Sequence, residues 1–271
     1  MTKILLAIAV LGVLGGIFGA LLAVASKVFH VDVDPKQEAV RACLAGANCG
    51  GCGFPGCDGY AAAVAAGEAP TNKCVAGGAE AAARIAEIMG VSAESAEKKV
   101  AFVPCSGCTD VAELKFNYEG PKDCRAAMLF GDKSNKLCKY ACIGLGSCVK
   151  ACHFGAMHVE NGVAKVDRTK CVGCGACAET CPKSIITMLP ESQRTVVGCS
   201  SKDKGAVVMK ACKAGCIGCR KCERECPAGA ITVTDFLAHI DASKCTSCGH
   251  CAEVCPRRII QVVGKKTVAE L

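Results

Sequence analysis

The stretch Cys216-Ile217-Gly218-Cys219-Arg220-Lys221-Cys222-Glu223-Arg224-Glu225-Cys226-Pro227 places four cysteines at gaps of two, two and three residues, with a proline after the last. Three thiolates this close can wrap one iron–sulfur cubane from a single loop. The fourth, turned away by the proline, suits a neighbouring centre. The same spacing returns at Cys245, Cys248, Cys251 and Cys255, again followed by a proline, Pro256. Reciprocal exchange gives one [4Fe–4S] cluster to Cys216, Cys219, Cys222 and Cys255, and a second to Cys245, Cys248, Cys251 and Cys226. A zinc site neither needs nor explains two interlocked quartets. Cysteines this close in sequence also cannot easily reach separate disulfide partners.

This is the spacing of bacterial two-cluster ferredoxins, and the chain repeats it. An offset of 74, from 138 to 212, lays Cys138, Cys142, Cys148, Cys152, Cys171, Cys174, Cys177 and Cys181 onto Cys212, Cys216, Cys222, Cys226, Cys245, Cys248, Cys251 and Cys255. Gly155-Ala156-Met157 falls on Gly229-Ala230-Ile231, and Cys124 falls one residue from the counterpart of Cys199. The region is a duplicated module.

The first copy departs from the second at one ligand. Leu145 stands where Cys219 stands, and Cys138 is the nearest thiolate to replace it. The expected sets are Cys138, Cys142, Cys148 and Cys181 for one cluster, and Cys171, Cys174, Cys177 and Cys152 for another. His153, in place of the usual proline, reads as a turn variant rather than a ligand.

Upstream, Cys49, Cys52, Cys57 and Cys74 form a separate quartet among Gly50, Gly51, Gly53 and Gly56. Those glycines allow a tight loop whose amides can face the sulfurs. Alone this spacing admits zinc; beside four ferredoxin-type clusters it reads as a fifth [4Fe–4S] centre. Cys105, Cys124, Cys199 and Cys212 are left over and suffice for a sixth, with Cys108 as an alternative to Cys105. The competing reading makes them ordinary thiols. Cys43 reads as a packed helix residue.

The chain has 26 cysteines among 271 residues, no Trp and three Tyr, so a conventional apolar core is poor for this length. The formal charge of +7 is offset by clusters that each carry about −2 when oxidised. The basic excess therefore does not signify nucleic-acid binding. Ile4 to Ala25 lacks any charged or strongly polar side chain and as a helix spans about 33 Å, enough to cross a bilayer. A cleaved signal peptide is the rival reading, but the apolar run is too long for one. Gly12 with Gly16, and Gly15 with Gly19, offer two small-residue faces to another membrane helix. Asp34 and Pro35 predict a helix start, Asp58–Ala66 a second helix, and residues 79–100 an Ala-rich spacer broken at Gly90 and restarting at Ser92.

The expected fold is α+β. It has an anchor (1–27), a small [4Fe–4S] module (28–78), a helical spacer and connector (79–119), and two tandem 2[4Fe–4S] ferredoxin-like repeats (120–190 and 191–265). No dinucleotide-binding glycine motif or flavin-attachment signal is present, so the chain carries no complete active site.

The anchor, Cys49-Gly50-Gly51-Cys52-Gly53-Phe54-Pro55-Gly56-Cys57 and the repeats together resemble the B subunit of the Rnf complex, the ion-translocating ferredoxin:NAD oxidoreductase. Val103-Pro104-Cys105-Ser106-Gly107 and Asp123-Cys124-Arg125-Ala126-Ala127 resemble the multi-cluster form of that subunit. The resemblance implies a single-pass protein of the inner (plasma) membrane with its clusters on the cytoplasmic side. It also implies soluble ferredoxin as donor, partner subunits of the complex as acceptors, and two-electron chemistry on a partner. A membrane-tethered polyferredoxin serving another redox complex is the alternative. Electrons are expected to arrive through the repeats, where Lys202, Lys204, Lys210, Lys213, Arg220, Lys221, Arg257 and Arg258 could steer an acidic donor. They are expected to leave through the N-terminal cluster.

Overall fold

A computed structural model describes residues 2–28, 34–92, 97–130 and 134–263. Helix α1 (Thr2–Val28) contains a window, Val10–Lys27, of mean hydropathy 1.9 with none of it buried. It is long and apolar enough to cross a membrane. Nothing among the described residues stands within 4 Å of a side-chain position at Gly12, Gly15, Gly16 or Gly19.

Helix α2 (Pro35–Cys43) starts as its sequence dictates, with the Asp34 carboxylate accepting from Lys36 N–H at 2.8 Å. With α3 (Cys57–Ala65) and α4 (Gly78–Met89) it encloses a small core of Val40, Leu44, Tyr60, Val64 and Ile85. The buried Tyr60 hydroxyl donates to Pro70 O and accepts from Lys73 N–H, so its oxygen does not lack a partner. Gly90 ends α4 in the left-handed region at φ 68°. The helix expected to restart at Ser92 falls on residues 93–96, outside the described residues. The Ala-rich spacer thus belongs to the N-terminal core.

The remainder is built from two-stranded antiparallel ribbons. Strand β1 (Lys99–Phe102) pairs with β4 (Thr187–Pro190), and β2 (Met157–Glu160) with β3 (Val163–Val166). Strand β5 (Thr195–Val197) pairs with β8 (Ile260–Val262), and β6 (Ile231–Thr234) with β7 (Leu237–Ile240). The β2–β3 turn uses Asn161 and Gly162 at positive φ, and the β6–β7 turn uses Asp235 and Phe236, as tight hairpins require. Short helices lie among the cysteines: α5 (Cys124–Met128), α6 (Ser147–Lys150), α7 (Ala176–Thr180), α9 (Lys221–Arg224) and α10 (His250–Val254) each hold one, and α8 (Gly205–Ala211) leads into Cys212.

The first and last strands of each half meet, so the segment expected as a connector supplies the opening strand of the first half. Between β1 and Cys138 the first half also carries an insertion that β5 and Cys212 lack. The insertion lies between the halves: Glu113 N–H donates to Ala211 O at 3.0 Å, and Leu137 N–H to Glu113 O at 2.7 Å.

Ile85 is completely buried against α2 and α3. Ile85→Ala is expected to destabilise the N-terminal module by about 2–5 kcal/mol, with faster hydrogen exchange in α2–α4 and unchanged exchange in β5–β8. Unchanged exchange in α2 and α3 would show that the spacer is not part of this core.

Candidate metal centres

In the N-terminal module, Cys49, Cys52, Cys57 and Cys74 line one cavity of ≈ 320 Å³, together with Tyr60 and Val75. Asn48 Oδ1 accepts from Cys57 N–H at 2.8 Å and fixes the loop to the start of α3.

In the second half, Cys216, Cys219, Cys222 and Cys255 line a cavity of ≈ 350 Å³. Burial pushes the Cys222 thiol up to about 11, and the negative charge of Cys216, Cys255 and Cys219 adds to the shift. Cys251 is likewise raised to about 11 by burial and then by Cys245, Cys248 and Cys226. The fourth cysteine of each run therefore stands with the other run's three. The first half repeats the arrangement: Cys177 is raised to about 11 by burial and by Cys171, Cys174 and Cys152.

The other two quartets differ from the sequence reading. Cys138 does not join Cys142, Cys148 and Cys181; Cys124 does, and these four line a cavity of ≈ 380 Å³. Cys148 is raised to about 12 by burial, with Cys142, Cys124 and Cys181 next in effect. The cause is the insertion, which delivers α5 to this cavity. Asp123 caps α5 by accepting from Arg125 N–H and Ala126 N–H. Ser147 Oγ accepts from Cys124 N–H at 2.8 Å and donates to Asp123 Oδ2 at 3.1 Å, tying α5 to α6. Leu145, in the place of a ligand, packs instead against the group of Cys124, Ala127 and Ile143.

Cys138 faces Cys105, Cys199 and Cys212 in a cavity of ≈ 440 Å³ between the halves. Cys105 lies just past β1 and Cys199 just past β5, so these two are counterparts, as are Cys138 and Cys212. The near-coincidence of Cys124 with Cys199 under the 74-residue offset comes from the length of the insertion. Cys108 packs on the core of the first half outside this cavity, and Cys43 lies half-buried on the N-terminal core. His153 is exposed. Arg257, expected among the exposed basic residues, is partly buried, with Nη2 donating to Cys212 O at 2.8 Å.

The donor sets fit [4Fe–4S] clusters. Among the described residues, no three His, Cys, Asp or Glu side chains are arranged to hold a single metal ion. Thiols instead stand around cavities, and backbone amides point at their sulfurs: Ala101 N–H to Cys171 at 3.4 Å, Ala156 N–H to Cys152 at 3.3 Å and Ser247 N–H to Cys245 at 3.4 Å. Such amide bonds stabilise negative charge on a ligating sulfur.

The sites also touch in series. A Cβ on Gly51 would lie 2.9 Å from Cys174 Cα, so the N-terminal loop sits directly on the Cys174 loop. Cys177 is among the charges felt by Cys148. Cys142 N–H points at Cys105 Sγ at 3.5 Å, and Cys216 N–H at Cys199 Sγ at 3.3 Å. Cys222 and Cys251 share the last core.

Comparison with known proteins gives the same chemistry. Three family models match: an "Fe-S cluster" model over residues 44–76, a "4Fe-4S dicluster domain" over 215–259 and a "4Fe-4S binding domain" over 164–187. The B subunit of the Na(+)-translocating ferredoxin:NAD(+) oxidoreductase complex of Acetobacterium woodii is 47% identical over 96% of this chain and 78% of its own length. The chain belongs to the family of ion-translocating oxidoreductase complex B subunits. The Methanosarcina acetivorans member is 45% identical over 94% of the chain and 97% of its own length, and that of Clostridium ljungdahlii 43% over 97% and 94%. Members of the family from Shewanella and Vibrio match only 40% of this chain.

Cysteines of one quartet should show non-additive effects. The double variant Cys138→Ser/Cys199→Ser is expected to lose no more iron than either single variant, while Cys138→Ser/Cys142→Ser loses the sum. Additive loss in the first pair and shared loss in the second, by iron analysis and electron paramagnetic resonance, would restore the sequence-based pairing.

Proposed function

We propose that this chain relays electrons from a reduced ferredoxin to membrane partners of an ion-translocating ferredoxin:NAD oxidoreductase, using six [4Fe–4S] clusters held in series. The observation that carries this reading is the serial order of six thiol quartets. It runs from Cys49/Cys52/Cys57/Cys74 through Cys152/Cys171/Cys174/Cys177, Cys124/Cys142/Cys148/Cys181 and Cys105/Cys138/Cys199/Cys212. It ends with Cys216/Cys219/Cys222/Cys255 and Cys226/Cys245/Cys248/Cys251. Clusters of this type supply one-electron oxidation and reduction. The chain's own residues ligate, space and insulate them: apolar Val, Ile and Ala exclude water, and the amides bias the charge on each sulfur.

The two ends of the series differ in a way that supports a direction. At one end the Cys174 loop lies beneath Gly51 of the module that follows α1. At the other end Cys219 and Cys248, the latter the counterpart of Cys174, are exposed. We assign electron arrival to this open end and departure to the N-terminal module, with α1 in the membrane and the cluster-bearing part on the cytoplasmic side. The two tandem ferredoxin-like repeats then run from β1 to β4 and from β5 to β8.

Arg220 and Lys221, adjoining Cys219, and Arg258, three residues past Cys255, are exposed, where they can steer an acidic ferredoxin. Replacing all three by Glu is expected to slow reduction by ferredoxin at low salt roughly tenfold or more and to flatten its salt dependence, with reduction by dithionite unchanged. An unchanged rate and salt dependence in stopped-flow measurements would place the donor elsewhere.

A further inference from the structure

Lys136 is 1% exposed, yet its ammonium group lies in the interior. Its Nζ donates to Gly107 O at 2.8 Å and to Gly162 O at 2.7 Å, and no carboxylate among the described residues pairs with it. Two carbonyl dipoles take two of its three protons but do not cancel its charge, and an uncompensated buried charge is expensive. Gly107 shows where the counter-charge would be. A Cβ on it would stand 3.5 Å from Cys212 Sγ and 3.6 Å from Cys105 Sγ, so the lysine is one peptide unit from two sulfurs of the inter-repeat quartet.

Arg257 lies beside Cys212. Its guanidinium donates to Cys212 O, and its buried Nε has no hydrogen-bond partner among the described residues. It also lines the next cavity, that of Cys216, Cys219, Cys222 and Cys255. One cation comes from each repeat; neither side chain lines the cavity where the repeats meet, but each donates to the backbone of a residue that does, while the Asp203 carboxylate, which lines it, is paired with Lys139 at 3.0 Å.

We propose that Lys136 and Arg257 are charge-compensating residues that raise the reduction potential of the centre held by Cys105, Cys138, Cys199 and Cys212, so that it retains electrons between the two repeats. The proposal rests on the six-centre reading. A four-thiolate cluster is anionic and gains a further negative charge on one-electron reduction, so a nearby fixed cation favours the reduced form. With both cations in place, the first repeat is buffered from fluctuations in supply at the open end.

The test is a redox titration of the full-length, cluster-loaded protein followed by electron paramagnetic resonance. It compares Lys136→Gln and Arg257→Gln with the charge-keeping Lys136→Arg and Arg257→Lys. Each Gln variant is expected to lower the midpoint of the signal that Cys138→Ser abolishes, with any shift of the neighbouring centre smaller. The fall should be at least tenfold in the one-electron equilibrium constant, about 59 mV. The charge-keeping variants should stay near the parent value. Unmoved potentials in Gln variants that retain full iron overturn the proposal, as do equal shifts in the charge-keeping variants. If Lys136→Gln does not retain iron, Arg257→Gln decides alone, and an unmoved potential there overturns it. Parent protein with about 20 rather than about 24 iron atoms per chain overturns the six-centre reading itself, a result separate from either of these.

Discussion

Four sulfurs around one cavity must come from segments that are distant in sequence, and that requirement shapes every part of this protein beyond α1. The ribbons are two strands wide and three or four residues long, too small to be stable alone. The helices carrying the cysteine runs of the repeats are one or two turns. There is no Trp to anchor a core, and many of the buried residues are themselves cysteines. Without ligation, the thiols are buried neutral groups that resist ionisation, as the upward shifts of Cys148, Cys177, Cys199, Cys222 and Cys251 show. Iron reverses that balance by taking the deprotonated form, so cluster assembly and folding are coupled.

The same constraint bears on how the two halves join. Each contributes one thiol just past its opening strand (Cys105, Cys199) and one before its first cysteine run (Cys138, Cys212). On the proposed six-centre reading, a centre held half by each half would fix their separation and remove the gap that a flexible linker would leave. The bonds from Ser106 N–H to Gly198 O and from Lys213 N–H to Val111 O act on the same junction. Gly51 performs the corresponding task at the N-terminal module, where only hydrogen allows the loop to reach the Cys174 backbone.

The regular runs are legible in the sequence because their spacing alone specifies the loop. Cys216 to Cys226, Cys245 to Cys255 and Cys171 to Cys181 group in space as their spacing predicts, as does Cys49 to Cys74. The α2 cap at Asp34 and the stop at Gly90 are equally local. The exchange of Cys124 with Cys138 is not legible, because the insertion between β1 and Cys138 displaces the alignment without leaving a cysteine pattern of its own. The clue is Asp123 before Cys124, an N-cap that announces a short helix at the start of the segment. The burial of Arg257 is hidden for a similar reason: nothing local distinguishes it from Arg258, which is exposed.

The central claim is a single line of six centres, with one of them made by both repeats. Iron-edge anomalous scattering from crystals of the anaerobically prepared protein tests it most directly. The account predicts six iron positions in the stated order, the fourth between Cys105, Cys138, Cys199 and Cys212 and the third beside Cys124. Five positions with none between the repeats, or iron beside Cys142 ligated by Cys138 in place of Cys124, would contradict it.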